Sequence, residues 1–149
     1  MTHRKTHRSL QEILRDQDLL HVTGDTNVQA AARHMAARNV AAVLVIDGGA
    51  LKGIFTERDL LRRIVAQGRE PAQTPIAEAM TTEMISIGAG HMGFEAFQLM
   101  HEHNVRHVVV TGLEGACPFG IVSIRDFPPC DRATYESEIA FEEHVWEVV

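Results

Sequence analysis

"GIFTERDL", Gly53–Leu60, returns later in the chain as "GIVSIRDF", Gly120–Phe127. The two octapeptides share Gly, Ile, a small hydroxyl residue, Arg and Asp at the same places. Working outward, Met35 matches Met100, Asn39 matches Asn104 and Val40 matches Val105. Further back, "EILRDQDLLHV" lies opposite "EAMTTEMISI", which sets Arg15 against Thr81. A repeat of this kind decides the architecture before any single motif does. The chain of 149 residues is two copies of one unit.

Each copy predicts the order β-α-β-β-α. A short strand and a turn precede an amphipathic helix, marked in the first copy by Val28, Ala31, Ala32, Met35 and Ala36 at helical spacing. An apolar strand follows, Ala42–Ile46 or His107–Thr111, then a turn and a second strand from Gly53 or Gly120. Asp59 or Asp126 then opens a helix, where a carboxylate suits the first turn. The fold class is α+β. The expected division is repeat 1 over 9–70, a linker over 71–75, repeat 2 over 76–130 and an acidic helix over 131–149. Pro128-Pro129 breaks the helix expected after Asp126. The tail is expected to resume as a helix from Arg132, with Tyr135, Ile139 and Trp146 near one face, covering either a partner subunit or its own domain.

A literal G-x-G-x-x-G at Gly88, Gly90 and Gly93 raises a competing reading, because such glycines can cradle a pyrophosphate at a helix N-terminus. The matching stretch of the first copy, "HVTGDTNVQAAARHM", has one glycine and ordinary turn residues. The following strand ends in Thr111-Gly112, where a ribose-binding acid is required. The spacing is therefore read as coincidence in a turn.

The duplicated G-hydrophobic-hydrophobic-[T/S]-x-x-D, each behind a matched helix and an Asn-Val-apolar strand, resembles the cystathionine-β-synthase (CBS) domain pair over Leu10 to Phe127. The resemblance implies a pseudo-twofold module with two clefts between the repeats. These take adenosine-containing ligands: AMP, ADP, ATP, NAD(H) or S-adenosylmethionine. It also implies that each cleft combines the Asp motif of one repeat with strand starts of the other. Thr56, Arg58 and Asp59 would then join Thr81, Ile85, Val105, Arg106 and His107. Ser123, Arg125 and Asp126 would join Leu20, Val40, Ala41 and Ala42.

The chemistry of these residues is compatible with that role. A carboxylate accepts two hydrogen bonds, as the vicinal hydroxyls of ribose require, and arginine supplies charge to a phosphate. Arg106-His107 faces Ala41-Ala42 in the other copy, so the Asp59 set carries one fixed and one titratable positive charge. The alternative role of Thr-x-x-Asp is to cap the following helix, and both roles can coexist.

The rest of the chain narrows the function. A net charge of −6 argues against a general nucleic-acid binder, and no apolar run approaches a membrane span. The N-terminal "MTHRKTHRSLQEIL" has no apolar core behind its charge, so a cytoplasmic protein is expected. Two cysteines, Cys117 and Cys130, lack CxxC spacing and are expected reduced. Among nine histidines, His101-x-His103 points in two directions on a helix, and His3-x-x-x-His7 lies near the terminus, so no metal site is expected. No catalytic set appears. The expectation is a stand-alone regulatory module, not an enzyme, acting as a homodimer on an unidentified regulated protein. The alternative is a dimerisation or protein-interaction module without nucleotide binding.

Overall fold

The computed structural model describes the backbone of residues 8–147 and the side chains as far as His144. The first copy forms helix α1 (Leu10–Ile13), strand β1 (His21–Val22), helix α2 (Val28–Arg38) and strands β2 (Ala42–Asp47) and β3 (Ala50–Thr56). Helix α3 (Glu57–Asp59) continues as a π-helical turn, Leu60–Val65. The second copy forms β4 (Ser86–Gly88), α4 (Gly93–His103), β5 (His107–Thr111), β6 (Phe119–Ser123) and α5 (Pro129–Glu147). Each copy holds a three-stranded sheet, β1-β2-β3 or β4-β5-β6. In both, the first pair is parallel and the second antiparallel. The predicted α+β class and the duplicated strand-helix-strand-strand order are what the chain adopts.

The matched Asn-Val pairs have a backbone cause. Asn39 and Asn104 end α2 and α4 with φ of 51° in both cases, in the left-handed region. Asparagine tolerates this conformation better than other non-glycine residues, so it stops the helix and turns the chain into the apolar strand. Helix α2 starts on Asn27, whose side chain accepts the Ala30 N–H at 2.8 Å. Of the five positions that mark its apolar face in the sequence, Val28, Ala31 and Met35 are buried, Ala32 is half-buried and Ala36 is exposed.

Repeats in sequence and compact units in space are not the same segments. One unit is Asp18–Met84; the other combines Met1–Gln17 with Ile85–Val149. Leu10 and Leu14 of the first copy are buried in a core with Ala96, Phe97, Met100, Val108, Val110 and Val122 of the second. Conversely, Ile76 and Ala79, which open the second copy, are buried with Val28, Met35, Val43 and Phe55. The stretch between the copies is built into the Asp18–Met84 unit. Thr74 is buried and its carbonyl accepts the Val28 N–H, while Ile76 N–H donates to Thr26 O at 2.7 Å.

The C-terminal helix begins three residues before the Arg132 expected from sequence. Proline at a first helical position loses no intrahelical hydrogen bond, so Pro129 starts the helix that the Pro-Pro pair was expected to delay. Phe127 remains extended and buried, separating the Ile124–Asp126 turn from α5. Tyr135 and Ile139 are buried against the unit's own core. Tyr135 sits 5.0 Å from Phe94, 5.3 Å from Phe97 and 5.8 Å from Phe127 between ring centroids. Burial, then the negative charges of Asp131 and Glu138, raise its phenol pKa. At the solvent edge, His101 Nε2 lies 3.3 Å from Glu143 Oε1. Of the two alternatives for the tail, it covers an apolar patch of its own unit; the Trp146 side chain lies outside the described residues. No helix among the described residues is long and apolar enough to cross a membrane.

Candidate functional site

In each unit the octapeptide glycine lies inside the second strand because the chain passes close by. A Cβ on Gly53 would stand 2.6 Å from Met80 Sδ and 2.9 Å from Thr81 O. On Gly120 it would stand 2.9 Å from Gln17 Oε1 and 2.7 Å from Leu113 Cδ1. The covering segments then pair with the strand edge. Ile54 N–H donates to Thr81 O at 3.0 Å, and Thr81 N–H donates to Ile54 O at 2.8 Å. In the other unit a side chain does the same work. Ile121 N–H donates to Gln17 Oε1 at 3.0 Å, and Gln17 Nε2 donates to Ile121 O at 2.8 Å.

Gln17 is the residue that sequence comparison missed. The alignment set Thr81 against Arg15, two positions away, and a side-chain amide standing in for a peptide leaves no shared residue type. Two acceptor-donor pairs on one primary amide make the substitution chemically exact enough to complete the edge.

Beyond the glycine, each strand ends in a hydroxyl and a reciprocal cap. Thr56 N–H donates to Asp59 Oδ2 at 3.0 Å, and Asp59 N–H donates to Thr56 Oγ1 at 3.3 Å. Ser123 N–H donates to Asp126 Oδ2 at 2.7 Å, and Arg125 N–H donates to Ser123 Oγ at 3.2 Å. The residue after each hydroxyl ties back to the neighbouring strand start. Glu57 N–H donates to Ala41 O and Ile124 N–H donates to Arg106 O. Capping and placement are thus one arrangement: the cap fixes each aspartate at the end of its sheet.

The two aspartates then differ. Asp59 is 8% exposed. Thr81 Oγ1 donates to its Oδ1 at 2.9 Å, Thr56 Oγ1 donates to its Oδ2 at 3.2 Å, and Arg63 Nε stands 3.6 Å from Oδ1. Asp126 is exposed, and Ser123 N–H is its hydrogen-bond donor. Surrounding protein still removes part of its hydration. That desolvation raises the carboxyl pKa, with the Ser123 hydrogen bond acting in the opposite direction.

The remaining residues expected at a site fall at these same sheet ends. In the Asp18–Met84 unit, Leu20 is half-buried against the core, Val40 is exposed, Ala41 is half-buried, Ala42 is buried opposite Thr56, and Arg58 is exposed. In the other unit Ile85 is half-buried, its carbonyl accepting the Val109 N–H. Val105 is half-buried, Arg106 and Arg125 are exposed, and His107 is half-buried opposite Ser123. Each unit therefore gathers its own octapeptide with its own strand starts, and Thr81 joins the Asp59 group.

The features first suspected of other chemistry are structural. Gly93 opens α4 where an added Cβ would stand 2.7 Å from Ile13 Cδ1 and 3.1 Å from Phe127 Cε1. Its role is helix packing; Gly88 ends β4, and an added Cβ on Gly90 would meet nothing within 4 Å. His101 faces Glu143, and among the described residues no group of three metal-ligating side chains converges. His3 and His7 lie outside the described residues. Cys117 and Cys130 are free thiols.

The family model for the CBS domain matches twice, over residues 10–66 and 76–127. The chain belongs to the CBS domain family. Its CBS pair is similar to the CBS domain-containing protein YhcV of Bacillus subtilis, 40% identical over 106 residues, which is 70% of this chain and 73% of that one. It shares the CBS-pair fold with protein PAE2072 from Pyrobaculum aerophilum, solved complexed with AMP. The TM-score is 0.72 at 22% identity, covering 87% of this chain and 99% of that one. It shares it also with the CBS domain pair of protein MJ0100, solved with 5′-methylthioadenosine and S-adenosyl-L-methionine. There the TM-score is 0.67 at 22% identity, covering 80% of this chain and 92% of that one.

Proposed function

We propose that this CBS pair is a regulatory module that binds an adenosine-containing effector at the strand-end carboxylates of its repeats. AMP, ADP, ATP, NAD(H) and S-adenosylmethionine are the candidates. The carrying observation is a capped aspartate fixed at the end of a sheet, beside a hydroxyl and an arginine, in both copies. A carboxylate so placed accepts from the vicinal hydroxyls of ribose, while Arg58, Arg106 and Arg125 are suited to a phosphate. Ile85, Val105, Leu20, Val40 and Ala42 supply apolar surface for an adenine ring. AMP and S-adenosyl-L-methionine, bound by two proteins of the same fold, share the adenosine part and differ beyond it. That common part supports the reading.

Signalling requires the effector to bind two packing states with different affinity, since equal affinity shifts nothing. We place that shift in a homodimer acting on a separate regulated protein, with no chemical step catalysed by this chain. Thermal unfolding with AMP, ATP, NADH and S-adenosylmethionine at millimolar concentration tests the reading. Stabilisation by one or more is expected, by about 2–3 kcal/mol at a hundredfold excess over Kd. Lack of any shift favours a docking module without nucleotide. The internally satisfied Asp59 already favours that second reading for its own repeat.

A further inference from the structure

An ionised carboxylate offers about four acceptor positions, two on each oxygen. At Asp59 three are taken by hydrogen bonds and an arginine faces the fourth. Oδ2 accepts from Thr56 N–H and Thr56 Oγ1, while Oδ1 accepts from Thr81 Oγ1 and faces the Arg63 guanidinium at 3.6 Å. These donors are themselves held. Thr81 is fixed by two backbone hydrogen bonds to Ile54, and Arg63 Nη1 donates to Met80 O at 2.7 Å. At Asp126 one position on Oδ2 is taken by Ser123 N–H, and Oδ1 has no protein donor among the described residues. The covering segment there makes its edge contact through Gln17, whose side-chain amide is committed to Ile121 and supplies no hydroxyl to the aspartate.

Resting on the proposed adenosine-binding reading, we infer that the two repeats are unequal. Asp126 receives the vicinal hydroxyls of a ribonucleoside, and Thr81 holds Asp59 inside its own unit in place of a ligand. The full chain therefore binds one ribonucleoside ligand, and Thr81 is the residue that decides against a second. Removing the Thr81 hydroxyl leaves the backbone pairing with Ile54 intact and frees Asp59 Oδ1, so the same chain acquires a second site.

Isothermal titration of the full chain with AMP tests this. One site per chain is expected in the wild type. Asp126→Asn keeps an oxygen for the Ser123 N–H but loses the charge, and should weaken AMP about 10- to 100-fold. Thr81→Val should raise the stoichiometry to two. 2′-Deoxy-AMP should bind the wild type more weakly than AMP, and Asp126→Asn should show little difference between the two. Two equal sites in the wild type, an unchanged affinity in Asp126→Asn, or one site in Thr81→Val overturns the inequality while leaving adenosine binding in place. Absence of binding in the wild type and both variants removes the proposed function and this inference with it.

Discussion

Replacing Gln17 with alanine tests whether a single side chain closes a sheet edge. The wild-type amide makes two hydrogen bonds to the Ile121 peptide, at 2.8 and 3.0 Å, next to a side chain that is 7% exposed. A neutral hydrogen bond contributes about 0.5–1.5 kcal/mol net, and a buried peptide group left without a partner costs more. Gln17 is exposed, so water can reach part of the vacated edge and the lower half of the range applies. The expected loss is about 1–2 kcal/mol for the pair, or roughly 2–8 °C in Tm for a chain of this size. Urea unfolding gives the stability, and amide hydrogen exchange resolves the site. The Ile121 N–H should exchange faster in the variant, while the Ile54 N–H, held by the Thr81 backbone, should not. An unchanged Ile121 exchange rate would refute the account of Gln17 as a substitute for a strand.

The glycines separate by what surrounds them. Gly53→Ala and Gly93→Ala force a Cβ to within 2.6–2.7 Å of a neighbour and should cost about 1–3 kcal/mol by urea titration. Gly90→Ala meets nothing within 4 Å and should be neutral or gain up to about 1 kcal/mol; comparable losses at all three would contradict the packing argument. Asn39→Ala should lose about 1–2 kcal/mol because its φ of 51° is strained for alanine, whereas Asn39→Gly should retain most of the stability. At Glu95, hydrogen bonds from the Met92 N–H and then His91 lower the carboxyl pKa. Its stabilising contribution is therefore present above the ordinary glutamate range and lost as pH falls through the lowered value. Glu95→Gln should be less stable at neutral pH by no more than about 1 kcal/mol, since the side chain is largely solvated. The gap should close in acid; a gap that persists there would rule out the carboxylate as its source.

The sheets were readable because both copies express the same physical demand in the same residues: a glycine under a covering segment, then a hydroxyl and an aspartate that cap one another. The paired asparagines were visible as a match, but only the backbone angle explains them. Gln17 was not readable, since a side chain in one copy does what a peptide group does in the other. Nor was the division into units. Leu10 and Ile76 occupy matching places in their repeats, and periodicity cannot say which core an apolar side chain will enter. Asp59 and Asp126 looked interchangeable in the motif. Their difference comes from Thr81, which stands on the covering segment outside the octapeptide.

The shared core of Leu10, Leu14 and the second copy also sets an order of events during synthesis. The Asp18–Met84 unit is continuous and can close as soon as Ile76 and Ala79 have left the ribosome. Leu10 and Leu14, made earlier, have no core to enter until Ile85–Val149 follows. At about 5–20 residues per second that interval is roughly 3 to 13 s. The segment of Leu10 and Leu14, made before the Asp18–Met84 unit, is thus buried after it.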